Sequence, residues 1–84
     1  MTPFYSYLPT IDLHGSDSDY ARIQINDFIE DQVKQKKDML IIIHGKGSGI
    51  LKKVTQDTLR QNKNVNTFKI DNFNDGMTIV KLKK

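Results

Sequence analysis

Met39 to Lys53 reads MLIIIHGKGSGILKK, and this stretch decides the fold. Five apolar residues in a row, three of them isoleucine, suit a strand buried on both faces rather than one half in water. Met39 to Ile43 is therefore the predicted central strand. His44 follows, then Gly45, Gly47 and Gly49 with Lys46 and Ser48 between them, and from Ile50 the pattern turns helical. Glycines between a strand and a helix leave backbone N–H groups uncovered at a helix N-terminus, where the helix dipole favours an anion. The chemistry suggests a phosphate. The plainer reading, that the glycines only permit a tight strand-to-helix turn, stands level with it on composition alone.

Two known phosphate loops do not fit. A P-loop needs Lys followed directly by Ser or Thr, but Gly47 separates Lys46 from Ser48. The dinucleotide fingerprint needs a third glycine where Ile50 stands, and a larger sheet.

Outward from this centre, Thr10 to His14 alternates, so that Ile11 and Leu13 face the core while Thr10, Asp12 and His14 share the other face. Gly15 ends the strand, and Asp17 is a suitable N-cap for a helix over Ser18 to Lys36 with Ala21, Ile25, Phe28, Ile29 and Val33 as its buried stripe. After the glycine loop, Leu51, Val54, Thr58 and Leu59 mark a second amphipathic helix. Its first turn holds Lys52 and Lys53, where the dipole disfavours cations. A bound phosphate would offset that cost. Val65 to Ile70 and Met77 to Lys83 are further strands joined by the turn-rich Asp71 to Gly76, with Asn66, Phe68 and Ile70 on one face of the first.

The order β-α-β-α-β-β, with right-handed crossovers, predicts an α/β two-layer sandwich: a mixed four-stranded sheet with both helices on one face. Asp12, His14, Lys69, Lys81 and Lys83 are expected on the open face. The all-apolar strand Met39 to Ile43 would then expose isoleucine there, and residues 1–9, an extended arm rich in aromatics, are expected to cover it. Residues 10–84 form the domain proper.

The chain has 84 residues, a formal charge of +3 and no cysteine. That excludes a disulfide framework or a thiolate metal site and fits a cytoplasmic setting. No apolar run is long enough to cross a bilayer, so no membrane partner is expected.

With these elements laid out, the sequence resembles the small MutS-related (Smr) domain family over about Thr10 to Leu82. Ile11-Asp12-Leu13-His14-Gly15 matches its leucine-Asp-x-His-Gly signature with Ile for Leu. His44-Gly45-Lys46-Gly47 matches its glycine loop, and Gly76 to Leu82 its glycine-led last strand. Relatives often carry paired glycines at that last turn, where this chain has Gly76 alone. From the resemblance, the chain is expected to be either a free-standing member or an excised C-terminal domain of a MutS2 protein. The resemblance implies nucleic-acid binding, of DNA or RNA and in some settings on ribosomes, and endonuclease activity in many members. It ties Asp12 and His14 to cleavage and His44, Gly45 and Gly47 to the substrate loop. Taken with the residues themselves, it makes Asp12, His14 and His44 the catalytic candidates. Gly45, Lys46, Gly47, Ser48, Gly49, Lys52, Lys53, Lys69 and Lys81 are the nucleic-acid-binding candidates. No metal site is assigned, although a divalent cation is left open as cofactor, and the expected state is a monomer or weak homo-oligomer. The competing reading is a non-catalytic nucleic-acid or ribosome-binding module.

Overall fold

The computed structural model describes residues 8–13, 15–47 and 49–83. The elements are β1 (Thr10–Asp12), α1 (Ser18–Lys34), β2 (Met39–Ile43), α2 (Ile50–Gln61), β3 (Val65–Ile70) and β4 (Met77–Leu82). They form one mixed sheet in the order β1-β2-β4-β3. β1 runs parallel to β2, and β4 lies antiparallel to both of its neighbours. The expected two-layer α/β architecture is present.

Register assigns the faces. Leu40 lies opposite Val80 and Ile42 opposite Thr78, so Leu40, Ile42, Val80 and Leu82 share a face. That face meets Ala21, Ile25 and Ile29 of α1 and Val54 and Leu59 of α2 in one cluster, which also takes in Leu13. Both helices therefore cover the same side of the sheet. Each fully buried Leu or Ile here contributes about 1.5–3 kcal/mol of transfer free energy.

Three expectations need correction. α1 stops at Lys34, and Lys36 takes a left-handed backbone with φ 62° while the Lys37 N–H reaches back to the Gln32 carbonyl. Val33 in that last turn is exposed, and Gln32 takes the buried position. In β3 a register shift between Val65 and Thr67 puts Val65 opposite Leu82. Val65 thus joins the core while Asn66 faces solvent. In α2 the buried set includes Thr55 as well as Val54, Thr58 and Leu59.

The second face carries Thr10 and Asp12 from β1, Met39, Ile41 and Ile43 from β2, Ile79 and Lys81 from β4, and Thr67 and Lys69 from β3. Ile41 and Ile79 are buried there. The arm expected to cover this face lies outside the described residues except for Leu8 and Pro9, whose Pro9 carbonyl accepts the Ile41 N–H at 2.9 Å. No helix among the described residues is long and apolar enough to cross a membrane.

Candidate functional site

Because β1 and β2 are parallel neighbours, the loops after them open at the same edge of the sheet and both helices start there. Between them lies a cleft of about 380 Å³. One wall is Gly15, Ser16, Asp17 and Ser18; the other is His44, Gly45, Gly47, Gly49, Ile50, Leu51 and Lys52.

The two helix N-termini at this cleft differ electrostatically. Asp17 caps α1, accepting the Tyr20 N–H at 3.3 Å, and Asp19 adds a second carboxylate in its first turn. That end is already supplied with negative charge. α2 begins at Gly49, with φ 87°, a left-handed conformation that a residue with a Cβ adopts only at a cost of about 1–2 kcal/mol. Among the described residues no side chain caps α2, and its first turn holds no acid but two lysines. The first intrahelical bond runs from the Lys53 N–H to the Gly49 carbonyl. The Leu51 and Lys52 amides just before it are of the kind a helix leaves to solvent or a ligand. An anion entering the cleft is drawn to the α2 side.

His44 sits at the back of this wall, 3 % exposed. Its Nδ1 is 3.1 Å from the Gly45 carbonyl oxygen, which can only accept, so Nδ1 carries the proton. Nε2, 2.8 Å from Thr78 Oγ1, then accepts from the hydroxyl. Burial holds the imidazole pKa below its ordinary 6.5; the Gly45 hydrogen bond opposes this, the Lys52 charge reinforces it and the Asp75 charge opposes it. The ring is neutral at physiological pH.

The glycine loop rests on the β3–β4 turn. The Gly76 carbonyl accepts the N–H groups of both His44 and Gly45 at 2.9 Å. A Cβ at Gly76 would lie 3.2 Å from Lys46 Cγ and 3.3 Å from the Gly45 carbonyl carbon. A side chain there would require the Lys46 and Asn74 side chains and the Gly45 backbone to give by a few tenths of an ångström. Lys46 Nζ is 3.6 Å from Asp75 Oδ1 across the same contact.

The predicted site residues fall into three places. Gly45, Gly47, Gly49, Lys52 and His44 line the cleft. Lys46 and Lys53 stand at its margin in ion pairs with Asp75 and Asp57. Lys81 lies opposite Met39 at the far end of β2, roughly 13 Å of strand from Ile43. Lys69 lies opposite Ile79 in β4. The lysines of the sheet face and the loop are thus separate features. Asp12 pairs with Ile43 and leaves the sheet on the open face, whereas His44 bonds to Thr78 on the helix face. These two candidates do not converge. His14 and Ser48 lie outside the described residues. Among the described residues no three or more His, Cys, Asp or Glu side chains form a metal-ligating group. The sequence reading missed Ser16 and Ser18, which reach the cleft because parallel crossovers return both helix starts to one edge.

The family model described as the Smr domain matches residues 11–83. The chain belongs to the Smr domain family. The Smr domain of Thermus thermophilus MutS2 superposes with a TM-score of 0.88 at 26% identity, covering 92% of this chain and 100% of that one. YdaL of Escherichia coli, a stand-alone small MutS-related protein, shares the fold with a TM-score of 0.84 at 20% identity, covering 89% and 64% of the two chains. Endonuclease MutS2 of Clostridium novyi is 31% identical over 81 residues, 93% of this chain. The chain spans about 10% of the length of that relative. The MutS2 proteins of Clostridium botulinum strains show 34% identity over 76 residues.

Proposed function

We propose that this Smr domain binds the sugar–phosphate backbone of a nucleic acid, with one phosphate seated at the start of α2, and cuts the strand there. The observation that carries the reading is the contrast between the two helix N-termini at one cleft. Asp17 and Asp19 serve α1, while α2 starts from the left-handed Gly49, has no acid in its first turn and holds there a cation, Lys52, which has no ion pair among the described residues. A helix built for stability alone would reverse the charges of its first turn.

In cleavage the amides around Gly49 and the Lys52 ammonium stabilise charge building on the phosphoryl oxygens. Water, or in RNA the adjacent 2′-hydroxyl, forms the new bond to phosphorus as the bond to the leaving oxygen breaks. His14 is assigned the proton transfer, with Asp12 as the acid of the same motif. His44 serves differently from the part its residue type suggests. With both ring nitrogens hydrogen-bonded in the interior, it braces the glycine loop instead of exchanging protons. That feature also favours the second reading, a module that binds without cutting, because it leaves His14 as the sole histidine for proton transfer.

The test is a nicking and RNA-cleavage assay on wild type and His14→Ala, alongside binding to a labelled oligonucleotide across about 50–200 mM salt. Cleavage by wild type and its loss in the variant, with binding retained, supports the nuclease. Salt-sensitive binding with no cleavage by either protein leaves the binding module. Binding indifferent to salt contradicts the phosphate cleft.

A further inference from the structure

Phe73 is 90 % exposed, whereas the other exposed large apolar residues, Tyr20, Ile23, Val33 and Ile50, are 39–58 % exposed and so partly packed. A phenylalanine standing almost wholly in water on a small domain contributes nothing to its core. The turn that carries it is fixed. The Asp71 carboxylate, itself buried, accepts the N–H groups of Phe73 at 3.2 Å and Asn74 at 2.9 Å. Asn74 Oδ1 accepts the Gly76 N–H at 3.0 Å, and the Met77 N–H reaches the Asn74 carbonyl. The ring is thus held out from a braced turn.

That turn rides directly on the glycine loop, through the Gly76 carbonyl and the Lys46–Asp75 ion pair. Gly76 lies three positions after Phe73, which limits their Cα separation to about 10 Å. An exposed aromatic on the turn that carries the first residues of the glycine loop matches the arrangement by which proteins hold single strands: cations track the backbone while rings stack on bases. A base inside a duplex has both faces covered by its neighbours, so such a ring can serve only a base that is unpaired or displaced.

We propose that Phe73 is a stacking platform for an unpaired base of the strand whose phosphate sits at α2, so that the substrate class is single-stranded or locally unpaired nucleic acid. The inference rests on the cleft reading above and adds to it the state of the strand. Asn72 beside the ring is exposed and offers amide donor and acceptor to a base edge.

The experiment compares wild type, Phe73→Ala, Phe73→Leu and Phe73→Trp for binding to a labelled single-stranded oligonucleotide, the same strand made abasic, and its duplex. Loss of stacking lowers single-strand affinity about tenfold in the Ala and Leu variants and leaves abasic and duplex binding unchanged. The sequence has no tryptophan, so Phe73→Trp supplies a single indole that can be excited apart from the tyrosines. It is expected to keep single-strand affinity and to be quenched on binding. Single-strand affinity equal in wild type and Phe73→Ala, with salt-sensitive binding intact, overturns the stacking role and leaves the cleft standing. Wild type that binds none of the three ligands overturns both.

Discussion

His44 Nε2 and Thr78 Oγ1 lie 2.8 Å apart in the interior, joining the end of β2 to β4 across a pair 34 residues distant in sequence. Thr78 is fully buried. The bond fixes the imidazole from the side opposite Gly45, and with it the start of the loop that lines the cleft. Thr78→Val keeps the shape but leaves a buried ring nitrogen without a donor, which costs about 1–3 kcal/mol. Urea unfolding of wild type, Thr78→Val and Thr78→Ser is expected to show a lower midpoint at unchanged slope for Val, with Ser losing only about the 0.8 kcal/mol of a buried methyl. Equal stability of Val and wild type would remove the brace.

The same pair sets a pH dependence. The folded imidazole has a pKa below the ordinary 6.5, with burial the principal cause. The unfolded chain therefore binds the proton more readily. Stability is fully present above about 6.5 and is lost as pH falls through the lower folded value. Melting temperatures taken from pH 7.5 down to 5.5 are expected to fall in wild type and to fall less in His44→Asn, measured against each protein's own value at pH 7.5. The groups acting on the ring are Lys52, which disfavours its protonated form, and Asp75, which favours it. Parallel profiles for the two proteins would show that residue 44 is not the group responsible.

Much of the architecture was legible because local signals agreed. The Met39–Ile43 run, the Asp17 cap and the glycine loop each mark an element, and handedness then places both helices on one face. What stayed hidden depends on contacts distant in sequence. Asp12 and His44, both catalytic candidates at strand ends, are sent to opposite faces by strand alternation, a matter of one residue of phase. Thr78 and Gly76 become neighbours of the loop only because β4 inserts between β2 and β3, an order that the hairpin-like turn after β3 does not dictate. The bulge in β3 moved Val65 into the core against the simple alternation. Phe73 read as one more turn residue, since exposure is not written in residue type.

Lys52 gives the sharpest test of what the cleft is for, because stability and binding should respond to it in opposite directions. It lies in the first turn of α2, lines the cleft and raises the positive potential at an N-terminus already positive by its dipole. Lys52→Glu replaces an unfavourable helix charge by a favourable one, a gain of about 0.3–1 kcal/mol, seen as a rise of a few degrees in melting temperature for a domain of this size. The same change puts a carboxylate where a phosphate would sit, so nucleic-acid affinity should collapse at low salt. The neutral Lys52→Gln should reduce the slope of log affinity against log salt by about one counterion. A Lys52→Glu variant that is both less stable and unimpaired in binding would mean that this lysine serves the fold, and that the anion site lies elsewhere.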